Sequence, residues 1–244
     1  MKYLKIIILF LFLAGCSNDG DTSATAETTD GTGGSLAIFA LKGDYLYAVD
    51  NAKLNIFSLI TADEPVMVNE INVGFNIETL FSKGEYLFIG SRNGMYIYSL
   101  EHPENPVMLS MANHFTACDP VIANDTHAFV TLHSGDFCGN NNNELLIYDI
   151  ANISNPILLH SRQLVHPKGL ALYRDYLFVC DDTIKIFDIE NPSQPRLKGN
   201  IPKQCNDLII KGNELYAIGD HIVCRYTLDA ENISNLQLQS QINF

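Results

Sequence analysis

Short apolar blocks alternate with polar turns along most of this chain, and the blocks recur in a fixed order. Five similar blocks, YLYAV, YLFIG, HAFVT, YLFVC and ELYAI, begin at residues 45, 86, 127, 176 and 214. A second apolar block follows each of them. A proline lies six positions after that second block in four copies, at Pro65, Pro106, Pro156 and Pro195, and the fifth copy has Ser234 there. A period near 40 residues with several short strands per unit indicates a propeller or a solenoid.

Each repeat is predicted to contain four strands, which in the second copy cover residues 77–81, 86–90, 95–100 and 107–111. Lys-Gly pairs mark the turns between the first two strands of three copies. Since no helical periodicity follows the N-terminal segment, the pattern predicts an all-β fold. We expect a single five-bladed β-propeller over residues 35–244, with a solenoid or a β-sandwich as the alternative. Its repeats cover about 35–74, 75–115, 116–165, 166–203 and 204–244.

Two copies also resemble a known repeat family. The sequence LLIYDI at 145–150 with Asn155-Pro156, and the sequence IKIFDIENP at 184–192, resemble the LVIVD repeat. This resemblance implies a β-propeller. It implies no particular activity, because the family has no established common one.

The first residues indicate an address in the cell envelope. Two lysines precede a short apolar run that ends in Leu13-Ala14-Gly15-Cys16, a segment that resembles a bacterial lipobox. Residues 1–15 are therefore predicted to be a lipoprotein signal peptide, and Cys16 the lipidated residue. Residues 16–34 then form a flexible acidic tether, because residues 17–34 carry no large apolar side chain. An ordinary signal peptide cut elsewhere is the alternative.

The residues of the tether refine this prediction. Ser17 after the lipidated cysteine resembles a sorting signal for the outer membrane, and Asp19 and Asp21 resemble signals for surface exposure. The predicted location is thus the bacterial outer membrane, reached through the lipid anchor alone.

Composition excludes several classes of function. The chain has 15 Lys and Arg against 28 Asp and Glu, a formal net charge of −13, which argues against nucleic acid as a partner. It has no tryptophan, so it cannot satisfy the motifs of propeller families that depend on this residue. The sequence contains no phosphate-binding loop, nucleophile elbow or EF-hand loop. We therefore predict no catalytic residue, no metal and no cofactor.

The cysteines predict one disulfide. In the third repeat, Cys118 precedes the first strand and Cys138 lies in a long loop between the second and third strands. Both positions belong to one face of a propeller, so a bridge is geometrically reasonable in an oxidising compartment. Metal binding is the competing interpretation, although the spacing suits zinc poorly. The pairing of Cys180, Cys205 and Cys224 stays open.

The same face collects polar residues at the starts of inner strands and in nearby loops. The candidate binding residues are Glu78, Arg92, Asp119, Asp136, His166, Lys168 and Asp207. They either solvate loop ends around a channel or form a recognition site, and a calcium or catalytic carboxylate site is the third option. The insertion at residues 134–143 emerges beside them. We predict a binding or scaffold module for a protein or glycan partner, and a carbohydrate-active or other hydrolase using carboxylates at the channel mouth is the alternative.

Overall fold

A computed structural model describes residues 34–61, 64–114, 120–135 and 142–244 of the chain. These residues form twenty strands and one short 3₁₀ helix, Ile233–Asn235. The first ten strands are β1 Phe39–Lys42, β2 Tyr45–Asp50, β3 Lys53–Ser58, β4 Val66–Asn72, β5 Ile77–Lys83, β6 Tyr86–Ser91, β7 Gly94–Ser99, β8 Val107–Asn113, β9 Val121–Ala123 and β10 His127–Leu132. The other ten are β11 Glu144–Asp149, β12 Ile157–Gln163, β13 Leu170–Tyr173, β14 Tyr176–Cys180, β15 Ile184–Asp188, β16 Arg196–Ile201, β17 Asp207–Lys211, β18 Glu214–Gly219, β19 Ile222–Thr227 and β20 Leu238–Asn243.

The strands make five antiparallel sheets, each of four consecutive strands, which are the five blades of a β-propeller. The innermost strands β1, β5, β9, β13 and β17 contact one another in that order around the axis. The predicted fold class is therefore confirmed. No helix among the described residues is long and apolar enough to cross a membrane.

The core lies between neighbouring blades, and the second strands of blades two, three and four are buried on both faces. In blade four, Leu177, Phe178, Val179 and Cys180 are all fully buried. Complete burial of a side chain such as Phe178 contributes about 2–3 kcal/mol to folding. The outermost strands lie at the edge of the sheets, and their first residues are largely exposed, as in Val107–Asn113 of blade two.

Every outermost strand carries a β-bulge at the same register. The shift falls after Ile56, Ile97, Ile147, Ile186 and Arg225 of the neighbouring third strands. A bulge interrupts the row of unpaired backbone groups at a sheet edge and so discourages pairing with another chain. The repeat thus protects all five edges in the same way.

The predicted Lys-Gly turns connect the first and second strands at the end of the ring opposite the predicted polar face. Gly43, Gly84 and Gly212 all have φ between 54° and 60°, a conformation that glycine adopts without strain. Blade four places Arg174 there with φ 53°. Each hairpin therefore returns the chain toward the face on which the candidate residues lie.

Candidate functional site

The candidate residues lie at one end of the ring because of the strand order. Antiparallel pairing joins the start of each inner strand to the end of the second strand, as Ile77 pairs with Ser91 and Asp207 with Ile218. The segments that enter the blades and the loops after the second strands therefore share one face, which we call the entry face. Glu78, Arg92, His166, Lys168 and Asp207 are on it. Asp119, Asp136, Cys118, Cys138 and Cys16 lie outside the described residues.

Glu78 and Arg92 pair with each other in blade two. Nε of Arg92 lies 2.8 Å from Oε1 of Glu78, and both side chains are at least two-thirds buried. The contact is therefore a charge-assisted hydrogen bond. The pair fastens the loop after β6 to the start of β5.

A polar recess of about 380 Å³ opens on the entry face between blades four and five. His166, Lys168, Asp181 and Asp182 line it from blade four, and Gln204, Asn206 and Asp220 line it from blade five. Val165, Cys205, Gly219 and Ile222 complete the wall. Two of the candidate residues, His166 and Lys168, therefore meet in one concave site of a size usual for small ligands.

Asp181 organises the wall of this recess. Its side chain is fully buried, and its carboxylate accepts hydrogen bonds from the backbone N–H groups of Val165 and His166. Lys185 neutralises it, with Nζ 2.8 Å from Oδ2, and also pairs with Asp182. This pairing lowers the pKa of Asp182 through the hydrogen bond from Lys185. The carboxylate of Asp181 thus fixes the segment that presents His166.

Lys168 is linked to Asp220 through two successive hydrogen bonds, with Asn206 between them. Its Nζ donates to Oδ1 of Asn206 at 2.7 Å, and Nδ2 of Asn206 donates to Oδ1 of Asp220 at 2.7 Å. Lys168 takes part in no ion pair with a carboxylate among the described residues. An ammonium has three donors, so two remain for a ligand.

His133, which was not among the candidate residues, joins the cluster. Its ring lies 5.5 Å from the ring of His166 in an edge-to-face arrangement. Burial lowers the pKa of His133 to about 4, and the charges of His166 and Lys168 add to this effect. His133 directly follows β10, and its place at the end of a second strand was the signal that could have assigned it to the entry face.

The carboxylate of Asp207 contacts the first described residues of the chain. It accepts hydrogen bonds from Oγ of Ser35 at 3.1 Å, from N of Leu36 at 3.3 Å and from N of Leu208 at 2.9 Å. A Cβ atom on either Gly34 or Gly169 would collide with this carboxylate. These contacts favour a structural role for Asp207, which joins the first described residues to blade five.

One cysteine pairing that the sequence left open is now defined. Cys180 at the end of β14 and Cys205 just before β17 form a disulfide, with a Cα–Cα distance of 5.3 Å. Cys205 also lines the recess, so the bridge joins its two sides. Cys224 lies on β19, and its thiol is free and buried.

The long loop of blade three is described only at its two ends. Oδ1 of Asn143 accepts hydrogen bonds from N and Oγ of Ser134, which close the base of the insertion. The backbone N–H of Leu164 donates to the carbonyl of Asn143. This base is therefore joined to the segment that continues to His166.

A second cavity of about 270 Å³ lies toward the opposite face. Apolar side chains of the inner strands line most of it, including Phe81, Ile122, Leu170 and Leu208. None of the candidate binding residues belongs to it. The described residues contain no group of three or more His, Cys, Asp or Glu side chains that could hold a metal ion.

Two of the repeats match a known family of repeats. The LVIVD repeat matches residues 134–162 and 166–202, in blades three and four. This match confirms the resemblance that the third and fourth copies showed. No curated protein matches the chain.

Several solved structures share the fold at low sequence identity. A protein from Lactobacillus plantarum gives a TM-score of 0.69 at 9% identity, over 82% of this chain and 68% of that one. The periplasmic gluconolactonase PpgL of Pseudomonas aeruginosa gives 0.64 at 12% identity, with the same coverage. BamB from Moraxella catarrhalis gives 0.55 at 12% identity, over 73% of this chain and 52% of BamB. At such identities the likeness concerns the fold alone.

Proposed function

We propose that this protein is a lipid-anchored binding module of the bacterial cell envelope, and that its protein or glycan partner docks at the recess between blades four and five. The observation that carries the proposal is the joining of His166, Lys168, Asn206 and Asp220 in one concave polar site. A disulfide and a buried carboxylate hold its walls. Such preorganisation reduces the entropy that a site loses when it binds.

Binding is better supported than hydrolysis by the state of Glu78 and Asp207, the candidate carboxylates that the structure describes, and of the buried Asp181. Glu78 is paired with Arg92, Asp181 with Lys185, and Asp207 is engaged by Ser35 and Leu36. A general acid or base needs a carboxyl within reach of the substrate proton that it moves. These three side chains instead serve contacts within the fold. The likeness to a gluconolactonase is one of fold, and it does not favour hydrolysis here.

The position of the first described residues is consistent with a membrane anchor near this face. Ser35 is buried against Asp207, whose strand starts on the entry face. A tether from Cys16 to Gly34 spans at most about 60 Å when fully extended, at about 3.3 Å per residue. A tether of this length would let the recess receive partners near the membrane. Cys16→Ser should abolish lipidation and release the protein from the membrane fraction, and an unmodified mature N-terminus at another residue would contradict the anchor.

Capture of partners from cells tests the site directly. Asp220→Arg inverts a charge on the exposed rim of the recess, and Glu190→Arg makes the same change in a turn on the opposite face. Both tagged proteins are crosslinked in intact cells, purified and compared by quantitative mass spectrometry. We expect Asp220→Arg to lose the partners that wild type and Glu190→Arg retain. Equal capture of partners by the two variants would show that the partner does not dock at the recess.

A further inference from the structure

The recess has two chemically different ends. Lys168 and His166 line one part of it, which we call the inner end. The ring of His133 lies 5.5 Å from that of His166, and the charges of His166 and Lys168 both act on His133. The outer rim of the recess presents the carboxylates of Asp182 and Asp220. The inner end therefore favours an anionic group, whereas the rim favours a group that donates hydrogen bonds.

The ammonium of Lys168 has hydrogen-bond donors available for a ligand. Asp181 is paired with Lys185 and accepts hydrogen bonds from two backbone N–H groups, so its carboxylate is engaged elsewhere and is not a hydrogen-bond partner of Lys168. Asn206 accepts one hydrogen bond from Lys168 and orients the ammonium, but it carries no charge. An anion that enters the recess can therefore take up the remaining donors of Lys168. A charge-assisted hydrogen bond of this kind is about twice as strong as a neutral one.

The outer rim requires donors on the ligand. An ionised carboxylate only accepts hydrogen bonds, so Asp182 and Asp220 select hydroxyl or amine groups. Gln204 and Asn206 add amide groups that both donate and accept, and Val165 and Ile222 supply apolar wall. A sugar ring has this combination of several hydroxyls and an apolar C–H surface.

We propose that the recess binds an acidic sugar, with the sugar carboxylate on Lys168 and His166 and the ring hydroxyls on Asp220, Asn206 and Asp182. This inference rests on the proposed binding function and names its ligand class. A peptide carboxylate would satisfy the inner end but offers few donors to the rim. A neutral sugar would satisfy the rim but offer no charged acceptor to the ammonium, whose direct hydrogen-bond partner is the neutral Asn206.

Binding of two matched sugars tests the assignment. Methyl β-D-glucuronide and methyl β-D-glucoside differ only in a carboxylate against a hydroxymethyl group, and their dissociation constants can be measured by NMR titration of the whole folded protein. We expect wild type to bind the glucuronide at least tenfold more tightly than the glucoside. The NMR resonances of the His166 ring should shift when the glucuronide binds. This shift would show, in the wild-type protein, that the sugar occupies the inner end.

Two lysine variants locate the contact. Lys168→Met should reduce glucuronide affinity at least tenfold and leave glucoside affinity within about twofold. Lys211→Met makes the same change in an exposed turn on the opposite face and should have no effect. If Lys168→Met does not fold, as judged by circular dichroism, His166→Phe takes its place and should weaken glucuronide binding at least threefold.

Several results would overturn the inference. Equal affinity for the two sugars would do so, as would unchanged glucuronide affinity in both Lys168→Met and His166→Phe. Tighter binding of N-acetylalanine than of the glucuronide would assign the inner end to a peptide carboxylate instead. If acidic sugar fails to bind while Asp220→Arg still loses its partners, the ligand class is wrong and the binding function stands. If acidic sugar binds through Lys168 but Asp220→Arg retains all partners, the ligand class stands and partner docking at the recess is wrong.

Discussion

Replacing Asp207 with alanine should weaken the closure of the ring. Each blade consists of four consecutive strands, so no strand from one end of the chain completes the blade at the other end. Instead, the carboxylate of Asp207 in blade five accepts hydrogen bonds from Ser35 and Leu36, which precede blade one. Ser35 is fully buried and its Oγ accepts a further hydrogen bond from N of Leu170 in blade four, at 2.7 Å. One carboxylate thus connects three blades.

The magnitude follows from the donors that lose their acceptor. Asp207→Ala leaves the hydroxyl of Ser35 and the N–H of Leu36 without their partner, and hydrogen bonds to a charged group contribute about 1.5–3 kcal/mol each. Part of this is offset, because burial raises the pKa of Asp207 against the effect of its hydrogen bonds, so ionisation in the fold is itself unfavourable. We therefore expect a loss of about 2–4 kcal/mol in the free energy of unfolding. Asp207→Asn keeps one acceptor oxygen and the same shape, and should cost about 1 kcal/mol or less.

Urea denaturation followed by circular dichroism at pH 7.5 measures both variants. Asp220→Ala is the matched control, because its carboxylate is exposed and, among the described residues, accepts a hydrogen bond only from the amide of Asn206. Its effect should stay within about 0.5 kcal/mol. A loss within that same range for Asp207→Ala, or an equal loss for Asp207→Asn and Asp207→Ala, would refute a role of this carboxylate in closing the ring.

The pH dependence gives an independent check on Asp207. A raised pKa means that the folded protein holds this proton more tightly than the unfolded chain does. Stability therefore falls as the pH rises from about 4, the unfolded pKa, through the raised pKa of the folded state. Asp207→Asn removes the titrating group and should flatten this part of the profile. An unchanged slope would show that the buried environment does not act on this carboxyl.

Three further predictions concern histidine and cysteine. Because the pKa of His133 is lowered to about 4, the unfolded chain binds more protons between pH 6.5 and pH 4, so stability should drop by about 1–2 kcal/mol as the pH falls through this window. His133→Gln should reduce that drop in urea titrations, and an identical drop would refute its origin. Replacing both Cys180 and Cys205 with serine should lower the free energy of unfolding by about 3 kcal/mol, since the bridge closes a separation of 25 residues. Reduced wild-type protein is the comparison. Equal stability of the oxidised and reduced wild-type protein would contradict this prediction. Peptide mapping of exported protein without reductant should find Cys118 joined to Cys138, and recovery of both as free thiols would reject this pair.

The sequence was sufficient to predict the fold because the repeat signals are local. In the second copy, the predicted strands 77–81, 86–90, 95–100 and 107–111 correspond to Ile77–Lys83, Tyr86–Ser91, Gly94–Ser99 and Val107–Asn113. Middle strands that pack between two blades must be apolar on both faces, and this leaves a strong pattern. The bulge in each outer strand was not predicted. It changes the register by one residue within an exposed strand, and exposed strands carry little hydrophobic pattern.

The site was predictable only at the level of the face. Topology placed His166 and Lys168 on one face, but their partners come from other elements that no local pattern identifies. Asp207 is the clearest case, because its partner Ser35 lies 172 positions away in the sequence. The Cys180–Cys205 pair was equally hidden, since several cysteines mapped to the same face and only the positions of their Cα atoms choose between them.

The residues Cys205, Asn206 and Asp207 connect the recess to the stability of the ring. Cys205 is bonded to blade four, the side chain of Asn206 holds Lys168, and Asp207 holds the residues that precede blade one. The backbone of Asn206 is fixed as well, since its N–H donates to Ile218 and its carbonyl accepts from Gly169. Three successive side chains therefore make three contacts with different parts of the ring, and a segment constrained in this way loses little further freedom when a ligand binds. The proposed site lies at this junction. The contacts that close the ring therefore also hold the site rigid.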